Sequence, residues 1–130
     1  VYEQWGDLPT TVVVPQLITA LRGIKGKKMT EKQFNEITAW QKETFGRATS
    51  QSKLFHLVDE IKELHEAIIT DAEDKRLEFA DCFFLLFGSA AADGMTYQDI
   101  CKAIQEKFEI NKARKWGEPD ANGVVNHIKP

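Results

Sequence analysis

The sequence predicts an all-α fold: an antiparallel bundle of four main helices. Apolar residues recur at helical spacing in four stretches after Met29. Capping and turn signals punctuate those stretches at short intervals. No strand-like alternation appears beyond residue 15. Short connections between long amphipathic helices imply antiparallel neighbours.

The first 28 residues stand apart. Thr10 to Val14 is β-branched and reads as extended, and Gln16 to Leu21 reads as a short helix after Pro15. The chain begins with Val, and Met29-Thr30-Glu31 resembles a native start, so residues 1–28 are expected to be an N-terminal extension of uncertain structure. The helical domain is then expected over 29–117, with an irregular tail over 118–130 that contains Pro119 and Asn122-Gly123.

The first helix begins at the capping-box pattern Thr30-Glu31-Lys32-Gln33, carries Phe34, Ile37 and Trp40 or Gln41 at helical spacing, and stops at Gly46. A polar loop from Arg47 to Ser52 follows. The second helix, Lys53 to Ile69, places Leu54, Leu57, Val58, Ile61, Leu64 and Ile68 on one stripe. An acidic turn leads to the third helix, Lys75 to Ala91. That helix is apolar almost all round after Asp81 and is expected to be the most buried element, with Phe83, Phe84 and Phe87 in the core. Asp93-Gly94 marks a turn, and Thr96-Tyr97-Gln98-Asp99 is a second capping box. The fourth helix is expected to end near Trp116-Gly117.

Composition excludes several classes. The chain has 130 residues, of which 42% are hydrophobic and 28% charged, an ordinary globular balance. Its 17 basic and 20 acidic side chains leave a net charge of −3. That lacks the basic footprint a nucleic-acid polymer requires. The longest apolar run, Phe79 to Ala92, is interrupted by Asp81 and too short to cross a membrane. Cys82 and Cys101 read as small buried hydrophobes in a reducing, cytoplasmic compartment.

Carboxylates carry the chemistry. Glu60 and Glu63 are three apart on the second helix, and Glu78 and Asp81 are three apart on the third, so each pair shares a face. A solvated face accounts for one such pair taken alone. Two pairs on consecutive antiparallel helices form a set of hard oxygen donors suited to Mg²⁺ or Mn²⁺. A lone Asp81 within so apolar a helix would cost several kcal/mol without a cation. On the fourth helix Lys107, Asn111 and Arg114 share one face and suit phosphate, although a solvated basic helix end is the alternative. Trp40, Phe45 and Trp116 are candidate stacking surfaces, and His56 is placed to reach a ligand; core or solvated roles compete for each.

Asp59-Glu60-Ile61-Lys62-Glu63 and Glu78-Phe79-Ala80-Asp81 resemble the EExxE…ExxD signature of the MazG-like all-α nucleotide pyrophosphohydrolases. Asn111-Lys-x-Arg114-Lys-Trp116-Gly117 with Pro119-Asp120-x-Asn122-Gly123 looks most like the phage and bacterial dATP/dGTP pyrophosphohydrolase (MazZ-like) branch. The resemblance covers roughly residues 30–126, with Asp59 standing where the pattern usually has Glu. It implies a MazG-like bundle paired as a homodimer or homotetramer. It also implies hydrolysis of a (d)NTP, a purine dNTP in that branch, to (d)NMP and pyrophosphate. Two or three Mg²⁺ or Mn²⁺ ions would be held by Glu60, Glu63, Glu78 and Asp81. Lys107, Asn111 and Arg114 would meet the phosphates, in a bacterial or phage-infected host cell. A non-catalytic helical module, binding nucleotides or a protein partner, is the competing reading.

Overall fold

The computed structural model describes residues 28–130. The sequence readings at Thr10–Val14 and Gln16–Leu21, and most of the expected N-terminal extension, lie outside them. Four α-helices occur among the described residues: α1 Glu31–Thr44, α2 Ser50–Ile69, α3 Lys75–Ala92 and α4 Tyr97–Ala113. The chain divides into two compact units, one ending at Gly94 and the other Met95–Pro130.

In the first unit α1 opens where the Thr30 hydroxyl accepts from Gln33 N at 3.2 Å. α2 starts at Ser50, three residues earlier than the sequence suggests. Thr49 and Ser52 form a reciprocal capping box that converts part of the expected polar loop into the first helical turn. Asp71, with φ of 50°, turns the chain between α2 and α3, a left-handed position that Asp tolerates. The Ser89 hydroxyl donates to Ser50 O at 2.8 Å, which pins the end of α3 to the start of α2 and fixes their antiparallel pairing. α1 lies against α3 through Phe34, only 3% exposed, whose ring meets Phe87 edge-on at 5.6 Å.

As expected, α3 is the most buried of the four helices, but its cover is incomplete. Phe79, Phe83 and Leu86 are exposed, and Phe83 is therefore not a core residue among the described residues. α1 and α2 cover only part of a helix that is apolar on every side. Cys101 is likewise exposed, not buried, because it lies on α4 outside any closed apolar interface of its own unit.

The second unit holds α4 and the segment that follows. A second reciprocal capping box joins Thr96 and Asp99. α4 ends at Ala113, earlier than the expected Trp116-Gly117, because Arg114 turns extended. Trp116 forms an isolated antiparallel bridge with His127, flanked by Gly117 N to Asn126 O at 2.9 Å and Ile128 N to Lys115 O at 2.7 Å. The Asp120 carboxylate closes the intervening turn by accepting from Asn122 N and Val124 N. Among the described residues no helix is long and apolar enough to cross a membrane.

Candidate functional site

Helical spacing delivers the carboxylates to one place. Glu60 and Glu63 stand one turn apart on α2, and antiparallel α3 brings Glu78 alongside them. One oxygen of each lies within 4.8 Å of the other two. Glu78 Oε2 is buried with no hydrogen-bond partner among the described residues. Asp81 joins Glu60 and Glu63 in the wall of a cavity of about 310 Å³ between α1, α2 and α3. Asp59 points away and pairs loosely with Lys62 at 3.9 Å, both side chains mostly exposed.

The clustered carboxyls are raised by burial and by one another. Burial pushes the Glu60 carboxyl up, and its hydrogen bond with Glu63 and the charges of Glu63 and Asp81 push it further. Burial raises Glu78, helped by Asp81 and Glu63. Burial also raises Asp81, with Glu63 adding to it and His56 opposing. Cys82, behind the cluster, is raised first by burial and then by Glu60 and Asp81, which leaves it an inert thiol. Hard oxygen donors, one of them buried and unpartnered, fit a divalent cation of the Mg²⁺ or Mn²⁺ kind.

Other predicted residues divide between the two units. His56 lines the same cavity, and its Nε2 sits 3.1 Å from Glu60 Oε1 one turn on. Phe45 lines it too, with Trp40 packed edge-on behind the ring at 5.5 Å, so Trp40 supports that wall and does not form it. Lys107, Asn111, Arg114 and Trp116 belong to the second unit. Arg114 leaves the helical face on which the sequence places it, yet its Nη1 returns to Asn111 Oδ1 at 3.4 Å. The Trp116 indole donates to Asn111 O at 2.9 Å.

Two cavity residues escape the sequence reading. Lys53 is 8% exposed, lies over the Phe45 ring at 5.7 Å, and its pKa is lowered by burial. Gln41 is 4% exposed and donates through Nε2 to Phe84 O at 2.9 Å. The sequence hint for Lys53 was its seven-residue spacing from Glu60, which puts both on one face of α2.

The chain is similar to several known proteins. A family model described as dATP/dGTP pyrophosphohydrolase matches residues 33–130. The chain is 37% identical over 68 residues to the dATP/dGTP diphosphohydrolase of cyanophage S-2L, covering 52% of this chain and 61% of that protein. It is 43% identical over 53 residues to the Eaa protein of Salmonella phage P22, covering 41% of this chain and 17% of that protein. The chain thus spans less than two thirds of both these relatives. Among solved structures it resembles a cyanophage S-2L MazG-like pyrophosphohydrolase bound to dGDP and three catalytic Mn²⁺ ions per active site. The TM-score is 0.63 at 30% identity, over 78% of this chain and 100% of that one.

Proposed function

This chain belongs to the dATP/dGTP pyrophosphohydrolase family, and we propose on that premise that it hydrolyses a purine deoxynucleoside triphosphate to the monophosphate and pyrophosphate. The observation that carries the reading is the carboxylate cluster of Glu60, Glu63 and Glu78, with oxygens within 4.8 Å and one buried oxygen unpartnered. That arrangement is costly in a protein with no use for a cation.

Glu60, Glu63, Glu78 and Asp81 would hold two or three Mg²⁺ or Mn²⁺ ions. Bound there, such ions supply Lewis-acid charge to the phosphate oxygens and make water more acidic. A water oxygen bonds the α-phosphorus, the bond from that phosphorus to the α–β bridging oxygen breaks, and pyrophosphate leaves. Glu63 accepts the water's proton in this scheme. His56 Nε2, 3.1 Å from Glu60 Oε1, is the group that would hold Glu60 in place. Lys107, Asn111 and Arg114, all in the second unit, carry the groups that would suit phosphate oxygens, and Arg114 Nη1 meets Asn111 Oδ1 at 3.4 Å. Phe45 offers a stacking face, while Trp40 backs it; Trp116 is retained as a base- or sugar-binding candidate.

The working assembly in this reading is a homodimer or homotetramer. Its support is the apolar surface exposed among the described residues, including Phe55 at 68% and Phe83 at 54% exposure. Light scattering at a monomer mass contradicts it. The reading also puts the enzyme in the cytoplasm of a bacterium or phage-infected host. A panel of dNTPs with Mg²⁺ or Mn²⁺ tests the activity. Monophosphate plus pyrophosphate is expected. Diphosphate plus phosphate, or no turnover with any nucleotide, overturns it.

A further inference from the structure

A second cavity, about 450 Å³, lies between α1 and the last turns of α3, beside the one that the carboxylates wall. The two share Gln41, Phe45, Ala48 and Lys53. Their charges are opposite. Glu60, Glu63 and Asp81 stand in the wall of the first. Among the described residues the wall of the second carries Lys42 and Lys53 and no carboxylate. Without a metal ion, the first cavity repels a free anion and the second attracts it.

Lys53 is the side chain that lacks an anion. It is 8% exposed, and its ammonium makes no hydrogen bond or ion pair among the described residues, only an approach to the Phe45 ring at 5.7 Å. Its Nζ is not sealed in, and it reaches the space it lines. Burial lowers its pKa, with no neighbouring charge to oppose the shift. Lys53 is also the fourth residue of α2, and no acid in that first turn balances the positive end of the helix. One bound anion would answer all of this.

The rest of the wall suits phosphate chemistry. An ammonium serves a tetrahedral oxyanion as a point charge with three donors. Asn35 and Thr38 add neutral polar groups beside the lysines, and Gly88 and Ala91 give a floor of small residues. The volume admits a small organic phosphate as well as the inorganic ion.

We propose that this second cavity binds a phosphate-type oxyanion, free or as the end of a small organic phosphate, with Lys53 as its principal ligand and Lys42 at its lip. The site works without a divalent metal and does not depend on the proposed hydrolysis.

The experiment titrates the full chain in EDTA with inorganic phosphate and with ribose 5-phosphate, by calorimetry, against chloride at equal ionic strength. Saturable binding is expected. Binding of phosphate makes the free ion sufficient, and binding of ribose 5-phosphate alone makes the ester the ligand. Lys53→Met should weaken binding about tenfold or more, and the exposed Lys42→Gln roughly threefold. Glu60→Gln, in the other cavity, should leave binding in place. No saturable binding of either compound overturns the proposal, as does unchanged affinity in Lys53→Met. A loss in Glu60→Gln equal to that in Lys53→Met also overturns it, because the anion then sits in the first cavity. If Lys53→Met does not fold, unchanged affinity in Lys42→Gln is the overturning result. Hydrolysis of dNTPs with Mn²⁺ is assayed separately, and its absence defeats the proposed function alone.

Discussion

The Gln41 side-chain amide donates to the Phe84 carbonyl at 2.9 Å across 43 positions of sequence, and it does so because α3 carries glycine at position 88. A Cβ at Gly88 would stand 2.8 Å from Gln41 Oε1 and 3.2 Å from both Cδ and Nε2. Gly88→Ala is therefore expected to destabilise the fold by about 1–3 kcal/mol, read from urea unfolding, despite the helix preference for alanine. Adding Gln41→Ala should recover part of that loss, because the clash partner is gone. A strictly additive double mutant contradicts the contact.

Removing one charge from the carboxylate cluster should separate catalysis from folding. Glu60→Gln and Asp81→Asn are each expected to cut pyrophosphate release by about two orders of magnitude or more. In the absence of metal the melting temperature of either variant should hold or rise, because like charges no longer repel. Wild-type turnover in both variants refutes the site.

The pH dependence follows from the raised acids. Burial, first, and mutual repulsion lift Glu60, Glu78 and Asp81 above the ordinary carboxylate range in the folded state. The folded protein then holds more protons than the unfolded chain in that window. Their contribution is fully present below the ordinary carboxylate pKa and is lost as pH rises through the raised values. The metal-free protein is expected to melt lower as pH climbs through this interval. Mn²⁺ should restore stability increasingly with pH, since binding needs the deprotonated acids. A Mn²⁺ increment that shrinks with rising pH counts against the assignment.

The helix caps give an independent check on the two units. Thr49→Ala and Thr96→Ala should each cost about 1 kcal/mol by removing a side-chain acceptor at a helix start. Asp99 behaves oppositely to the cluster acids. The Thr96 backbone N–H bonded to its carboxylate, then the Thr96 side chain, hold it below the usual range. Its stabilisation is present above the ordinary Asp pKa and fades as pH falls through the lowered value. Thr96→Ala should weaken that acid dependence, which circular dichroism between neutral and acid pH detects.

The sequence by itself determined the helices and the two carboxylate pairs. Both are local: helical periodicity sets the stripe, and a three-residue spacing places Glu60 with Glu63 and Glu78 with Asp81 whatever the helices pack against. Family membership was legible for the same reason, since its motifs are contiguous words. Lys53 and Gln41 were not legible. A lysine near a helix start carries no burial signal, and Gln41, though at the helical spacing of Phe34 and Ile37, shows its partner only when α1 comes down on Gly88 of α3. Only the tertiary structure decided that these two side chains are buried beside Phe45, because burial depends on the approach of helices far apart in the chain. It likewise decided that α3, apolar all round, keeps Phe79, Phe83 and Leu86 uncovered: two neighbouring helices shield only part of a cylinder.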